Sequence, residues 1–289
     1  SRLGPAVAPE NIVLANGASD LLQLIVHAYV RPGDIVLIPT PTFNVYAVRS
    51  QLSQGQVVKV PLKGYTIDLA AVLGALGGAR VVFICNPNNP TGTIVTHAEL
   101  LEFLAHVPPE VLVVLDEAYM EFVDRPDFPR SLEYFSNGRQ IIICRTLSKL
   151  YGLAGLRIGY GIAPAGLAAR VREQKLTFHH GRLPLIAAAA ALDDSDYEDR
   201  SREMVRSGRV FLREQFAALG LTCVPSEGNF VLLDDLPVSG DVLAAEALKR
   251  GVIVRDASSF GLPRAVRITV GRAEDNRRVL DVIREIILV

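Results

Sequence analysis

Residues 80–116 read RVVFICNPNNPTGTIVTHAELLEFLAHVPPEVLVVLD. The stretch opens on an apolar run at 80–85 and closes on another at 111–115. Runs that are apolar throughout suit strands covered on both faces. Between them, Thr96 with Glu99 forms a capping-box pattern ahead of a helical stretch at 96–105. A strand, a helix and a strand in this order make a βαβ unit, and βαβ units build parallel sheets. Outward from this unit the same alternation continues. Further strands are expected at 12–15, 34–38, 57–61, 140–144 and 158–162, and helices at 20–30, 42–51, 68–76 and 165–175. Ser19 or Asp20 could cap the first helix, and Pro32-Gly33 stops it.

After about residue 185 the pattern changes. A long helical stretch runs from roughly 199 to 219 and ends in Gly220. A strand at 229–233, a helix at 240–249, strands at 252–255 and 265–270 and a last helix at 274–287 follow. The expected fold class is α/β: a large domain over 1–198 with a mostly parallel sheet flanked by helices, and a smaller C-terminal α+β domain over 199–289. The boundary falls within the long helix. No internal repeat, low-complexity tract or flexible linker is visible.

The 289 residues carry 30 basic and 31 acidic side chains, and 49% are hydrophobic. That balance is ordinary for a globular protein, and the length allows one large domain or two modest ones. A net charge of −1 argues against a general nucleic-acid binder, which needs a basic excess. No run approaches the roughly 18 apolar residues of a membrane span. The longest apolar runs, at 185–192 and 111–115, are of core size. The first five residues have no signal-peptide pattern. Cys85, Cys144 and Cys223 are far apart with no CxxC, so free thiols and a cytoplasmic compartment are expected, and no metal.

In open α/β sheets the ligand lies at the carboxyl ends of the strands. The segments at those ends are polar here. Asn16-Gly17-Ala18-Ser19 follows the first strand and opens a helix, a place where free N–H groups can hold a phosphate. A capped helix start is the plainer reading. Asp116 ends a buried strand and needs a partner, for which a pyridinium nitrogen, an arginine or a cap would serve. Tyr119 could share its cavity or merely pack. Most lysines are solvated, but Lys149 sits in an apolar, glycine-rich segment that suits an amine of lowered pKa able to form a Schiff base. Arg157 and Arg267 lie in apolar contexts where a guanidinium calls for an anion.

In combination these motifs are specific. Asn88-Asn89-Pro90-Thr91-Gly92, then Asp116-Glu117-Ala118-Tyr119, then Thr146-Leu147-Ser148-Lys149 with Gly152 through Tyr160, resemble the fold-type I aminotransferases that use pyridoxal 5′-phosphate (PLP). The similarity runs from about Glu10 to the C-terminus and is strongest to histidinol-phosphate aminotransferases and their close relatives. The resemblance implies an aspartate-aminotransferase-like fold. It implies that Lys149 bonds the cofactor and carries the proton, and that Asp116 pairs with the ring nitrogen. It further implies that Asn89 and Tyr119 bond the cofactor's phenolic oxygen. Gly17, Ala18, Ser19, Thr146, Ser148 and Arg157 would surround its phosphate, and Phe43 would stack on its ring. Arg267 would grip a substrate carboxylate or phosphate, Arg255 a substrate phosphate, and Asn229 would stand where the small domain meets the site. The plainer reading of Arg255 is a strand end paired with Asp256.

Two departures stand out. The resemblance implies some tens of residues before the position of Ser1, including an arm across a dimer with a tyrosine at the partner's cofactor phosphate. It also implies a Pro-Phe-Asn-Val-Asn type of segment where this chain has Phe178-His179-His180-Gly181-Arg182-Leu183-Pro184. His179 and His180 read as loop residues; adjacent histidines without a third ligand are a poor metal signal. His27, His97 and His106 show no sign of a role.

The expected activity is a PLP-dependent transamination of histidinol phosphate with 2-oxoglutarate, in histidine biosynthesis, by a homodimer acting on small molecules. An aromatic or broad-range amino-acid aminotransferase, a decarboxylase of phosphorylated threonine and a ligand-sensing regulator module are the rivals. The last would need a DNA-binding segment or basic patch, and none is visible.

Overall fold

The computed structural model describes residue 3, residues 7–134 and residues 139–287. After a 3-10 turn at Pro9–Asn11 the chain runs β1 (Ile12–Ala15), α1 (Ala18–Tyr29), β2 (Ile35–Thr40), α2 (Val45–Leu52), β3 (Gln56–Pro61) and α3 (Leu69–Gly74). It continues with β4 (Ala79–Cys85), α4 (His97–His106), β5 (Leu112–Asp116), β6 (Ile141–Thr146), β7 (Gly159–Ile162) and α5 (Ala165–Arg172). These seven strands form one sheet in the order β1-β7-β6-β5-β4-β2-β3. Pairings from β3 across to β6 are parallel, and β7 lies antiparallel to both β6 and β1. The sheet is therefore mixed, with β7 the single reversed strand. The strands have apolar residues on both faces because both faces are covered. Val81, Phe83 and Cys85 of β4 pack with α1 and α2 on one face, while Val82 and Ile84 pack with α3 and α4 on the other. Thr96 and Glu99 make the capping box at the start of α4, as their spacing suggests.

Next come α6 (Arg182–Asp193), the 24-residue α7 (Ser195–Ala218), β8 (Thr222–Val224), β9 (Phe230–Asp234), α8 (Gly240–Lys249), β10 (Arg255–Asp256), β11 (Val266–Thr269) and α9 (Ala273–Ile287). The four strands form a second, antiparallel sheet in the order β10-β11-β9-β8. Phe216 of α7, Leu243 of α8 and Ile283 of α9 close a core against Val231, Leu233, Val266 and Ile268. α7 starts beside the first sheet, where Arg202 donates to the Glu121 carbonyl, and Arg209 further along donates to the Gly228 carbonyl. At about 1.5 Å per residue it spans roughly 36 Å.

The structure corrects several expectations. The apolar run at 185–192 is only partly core: it lies in α6, where Ala188 is buried with Leu147 and Ile158, Leu185 and Leu192 are half-buried against them, and Ile186 is 56% exposed. Its alanine-rich composition favours helix even though only one face is packed within this chain. α6 and β8 had no expected counterpart. The expected strand at 252–255 pairs only at Arg255 and Asp256, because Gly251 turns the chain just before it. α1 starts two residues early, at Ala18, with Gly17 rather than Ser19 or Asp20 at the cap. All three cysteines are free. Among the described residues, no helix is long and apolar enough to cross a membrane, and no group of three His, Cys, Asp or Glu side chains could hold a metal ion.

Candidate active site

Because β1 and β6 both run antiparallel to β7, strands β1 to β6 all point the same way. Their carboxyl ends meet at one edge of the sheet, and the chain enters β7 at that same edge. So the turn after β1, the segments after β4, β5 and β6, and the residues before β7 surround a single cavity of about 280 Å³. Ala18, Ser19, Phe43, Asn89, Asp116, Tyr119, Thr146, Ser148, Lys149, Arg157 and Arg267 line it.

One end is built for an anion. α1 starts without a side-chain cap, so its first N–H groups remain free as donors. Gly17 has φ +87°, and a Cβ there would stand 2.4 Å from Nη2 of Arg157. Only glycine lets that guanidinium lie against the turn. Arg157 itself is exposed. It donates to the carbonyls of Ala154 and Asn16, which holds its charge beside the helix start. Thr146 Oγ1 accepts from the Ser148 N–H, which orders the turn that carries Lys149. The carboxylate of Asp20 accepts from the Asn16 N–H at 2.8 Å and lies 2.6 Å from Nε2 of His179.

At the opposite end Asp116 is 3% exposed. Its Oδ1 accepts from the Ala118 N–H and its Oδ2 from the Tyr46 hydroxyl at 2.6 Å. Burial still pushes its pKa up, against the pull of Tyr46. Burial and the nearby Arg267 charge push the Lys149 pKa down. Its Nζ lies 5.3 Å from the centre of the Tyr119 ring. Burial also raises the Tyr119 hydroxyl, which therefore stays protonated. Phe43 meets Tyr46 edge-on with ring centres 5.7 Å apart.

Across the mouth stands Arg267. Its guanidinium lies 4.9 Å over the Phe230 ring, and Nη1 donates to Asn89 Oδ1 at 2.6 Å. Its Nε is buried with no partner. A desolvated guanidinium donor without an acceptor is costly and marks the place for an anion. Arg255 and Asn229 do not line the cavity. Arg255 is exposed, opposite Arg267 in the β10–β11 register, and donates to Ser259 Oγ. It does not pair with Asp256, whose carboxylate accepts from Ser258 instead. Asn229 is half-buried and receives the Val270 N–H on its carbonyl.

Sequence reasoning missed Tyr46 and Cys85, which approach the same carboxylate. Cys85 also lines the cavity, and burial lifts its thiol to about 12. No motif marks Tyr46: it is the second residue of α2, and only the fold turns it toward β5. The buried Glu117–Arg145 ion pair, 2.9 Å, was also missed.

An anion cup, a buried carboxylate and a lysine of lowered pKa thus share one small cavity with a second cation. The family described as Aminotransferase class I and II matches residues 4–283.

The chain belongs to that family.

It is a PLP-dependent aminotransferase. The histidinol-phosphate aminotransferase of Moorella thermoacetica is 42% identical over 283 residues, covering 97% of this chain and 73% of its own. The crystal structure of histidinol-phosphate aminotransferase from Sinorhizobium meliloti in complex with pyridoxal-5′-phosphate superposes with a TM-score of 0.87 at 30% identity, covering 96% of this chain and 78% of that one. An aspartate aminotransferase variant from Thermus thermophilus, 23% identical, shares the fold with a TM-score of 0.87 over 97% of this chain and 81% of its own. This aminotransferase therefore spans about three-quarters of the length of these relatives.

The residues present fit the cofactor. A phosphate suits the uncapped start of α1, where glycine at position 17 lets the Arg157 guanidinium lie close, and a protonated pyridine suits Asp116.

Proposed function

We propose that this aminotransferase moves the amino group of histidinol phosphate to 2-oxoglutarate, as a cytoplasmic homodimer in histidine biosynthesis. Residues 1–198 would hold the cofactor and 199–289 would bring the substrate arginines. The observation that carries the substrate assignment is the cross-strand pair of Arg255 and Arg267. Residues directly opposite on antiparallel strands project to the same face, and like charges there repel. Two arginines on one face, Arg267 lining the small cavity and Arg255 exposed outside it, favour a substrate with a concentrated anionic group, such as a phosphate monoester. The 42% identity to a histidinol-phosphate aminotransferase points the same way.

In this reading Ala18, Ser19, Ser148, Thr146 and Arg157 would hold the cofactor phosphate, with Gly17 allowing the close approach. Lys149 would hold its aldehyde carbon, Asp116 its ring nitrogen, and Asn89 and Tyr119 its phenolic oxygen, with Phe43 over the ring. When bound, PLP supplies an electron sink that eases removal of a proton from the amine-bearing carbon. Lys149 is suited to take that proton and return it, because its lowered pKa leaves more of the amine neutral. Arg267 and Arg255 orient the substrate so that the proton faces Nζ. The exposed Phe178, Leu183 and Ile186 support the homodimer, which sedimentation would read as twice the chain mass.

The test is an absorption spectrum of the PLP-loaded protein mixed with histidinol phosphate. The cofactor band should convert to the pyridoxamine form, and 2-oxoglutarate should reverse it. R255A should lower kcat/KM for histidinol phosphate by about ten- to a hundredfold while changing that for phosphate-free amino acids less than threefold. Conversion by aromatic amino acids alone would give the substrate to the broad-range reading. Loss of CO2 from phosphothreonine without transamination would give it to the decarboxylase.

A further inference from the structure

Tyr46 belongs to none of the motifs discussed above, yet it is 1% exposed and its hydroxyl reaches the buried carboxylate of Asp116. Its ring stacks on Phe83 of β4, centres 4.8 Å apart and planes 11° from parallel, so the hydroxyl has a fixed direction. Among the described residues, Tyr46 is the one side chain that hydrogen-bonds the Asp116 carboxylate; the other donor is the Ala118 N–H. We propose that Tyr46 is a positioning residue for transamination: its hydroxyl stabilises the Asp116 carboxylate as an anion, so that the proton shared with the cofactor stays on the ring nitrogen. This rests on the reading that Asp116 meets that nitrogen.

One proton can sit either on the ring nitrogen or on the Asp116 carboxylate. A pyridinium facing a carboxylate shares its proton with it. The proton stays on nitrogen only while the carboxylate is the weaker base. Burial works against that, because it strips water from the anion and raises its proton affinity. A hydrogen bond donated to the charged form works the other way. The remaining titratable groups near Asp116 offer little substitute. Cys85 and Cys144 are buried thiols whose pKa values are raised, Glu117 is paired with Arg145, and Tyr119 is a buried neutral phenol. Lys149 is the nearby cation, but its amine is the group bound to the cofactor in the resting enzyme on this reading. Tyr46 itself cannot compete for the proton, since burial and Asp116 hold its phenol well above the ordinary range. A ring nitrogen that loses its proton is a poorer electron sink, so the consequence falls on kcat.

The experiment uses apoenzyme reconstituted with PLP labelled with 15N at the ring nitrogen. The 15N chemical shift reports whether that nitrogen is protonated, independently of turnover. The proteins are wild type, Y46F, D116N and Y46F/D116N, with 3-fluorotyrosine at position 46 as the conservative variant that keeps the hydroxyl. The wild type should show a protonated nitrogen. Y46F should move the shift toward the unprotonated value and lower kcat about ten- to a hundredfold, with the substrate KM changed less than threefold. D116N should move the shift further, and adding Y46F to it should change nothing more, since coupled residues are not additive. The fluorotyrosine protein should keep the wild-type shift, which shows that the hydroxyl rather than the packing matters. A Y46F protein with the wild-type shift overturns the proposal while leaving the role of Asp116 standing, provided D116N moves it. A D116N protein with the wild-type shift overturns the underlying reading of Asp116 and the proposal with it.

Discussion

Lys149 illustrates how a single residue acquires its chemistry from its surroundings. A solvated lysine amine is protonated at neutral pH and cannot accept a proton. Here burial comes first and the Arg267 charge second in pushing the pKa down, opposed by Asp116. The shift therefore has a specific dependence: R267M should move the Lys149 pKa of the apoprotein back up. Amine-directed acylation of position 149, followed against pH by mass spectrometry, should show its midpoint displaced to higher pH. K149A should lower kcat by at least about 10²- to 10⁴-fold, the usual worth of a positioned general acid–base, with its fold intact by circular dichroism. Gly17 makes the complementary point. Its side chain is absent because the Arg157 guanidinium occupies the place where a Cβ would go.

At the scale of elements, the turn between β1 and α1 owes its shape to a segment far away in sequence. Asn16 donates through its side-chain amide to the His179 carbonyl, and Asp20 joins the Asn16 N–H to the His179 ring. The His179 side chain is 9% exposed and that of Asp20 24%, so the pair is partly shielded from water, and losing His179 leaves Asp20 with the Asn16 N–H alone. H179A should weaken PLP binding about tenfold, read by titrating apoenzyme with cofactor, while H179Q should recover part of it through its amide donor. Reading His179 and His180 as loop residues located them correctly along the chain. Their partners at Leu14 and Asp20 lie about 160 residues away, beyond any local pattern. The strands and most helices were legible because their apolar periods are local. α6 was not, because an alanine-rich apolar run fits a buried element and an exposed helix equally well.

At the scale of the whole molecule, Glu121 ties stability to pH. It lies beside a large cavity under β7 and α6, its Oε2 is buried without a partner, and burial lifts its pKa to about 7. The folded protein therefore holds this proton more tightly than the unfolded chain, whose value is 4.5. The stabilisation is fully present below about pH 4.5 and is lost as pH rises through about 7. E121Q stays neutral throughout, so the difference in Tm between it and wild type should grow in favour of E121Q between pH 5 and 8, read by scanning calorimetry. A difference independent of pH would remove Glu121 as the source.

The amino-acid sequence by itself determined the alternation of strands and helices, the mostly parallel character of the first sheet, and the identities of the polar residues at its edge. Those follow from periodicity and from motifs whose parts lie within a few residues of one another. Tertiary structure alone decided that β7 runs backward, which brings Arg157 to the same edge as Gly17 and Asp116. It also decided that Tyr46 serves Asp116 and that Arg255 faces Arg267 across two strands. The physical reason is common to all three. Such contacts join residues tens to hundreds of positions apart, and their energies depend on burial and direction, which exist only once the sheets have closed.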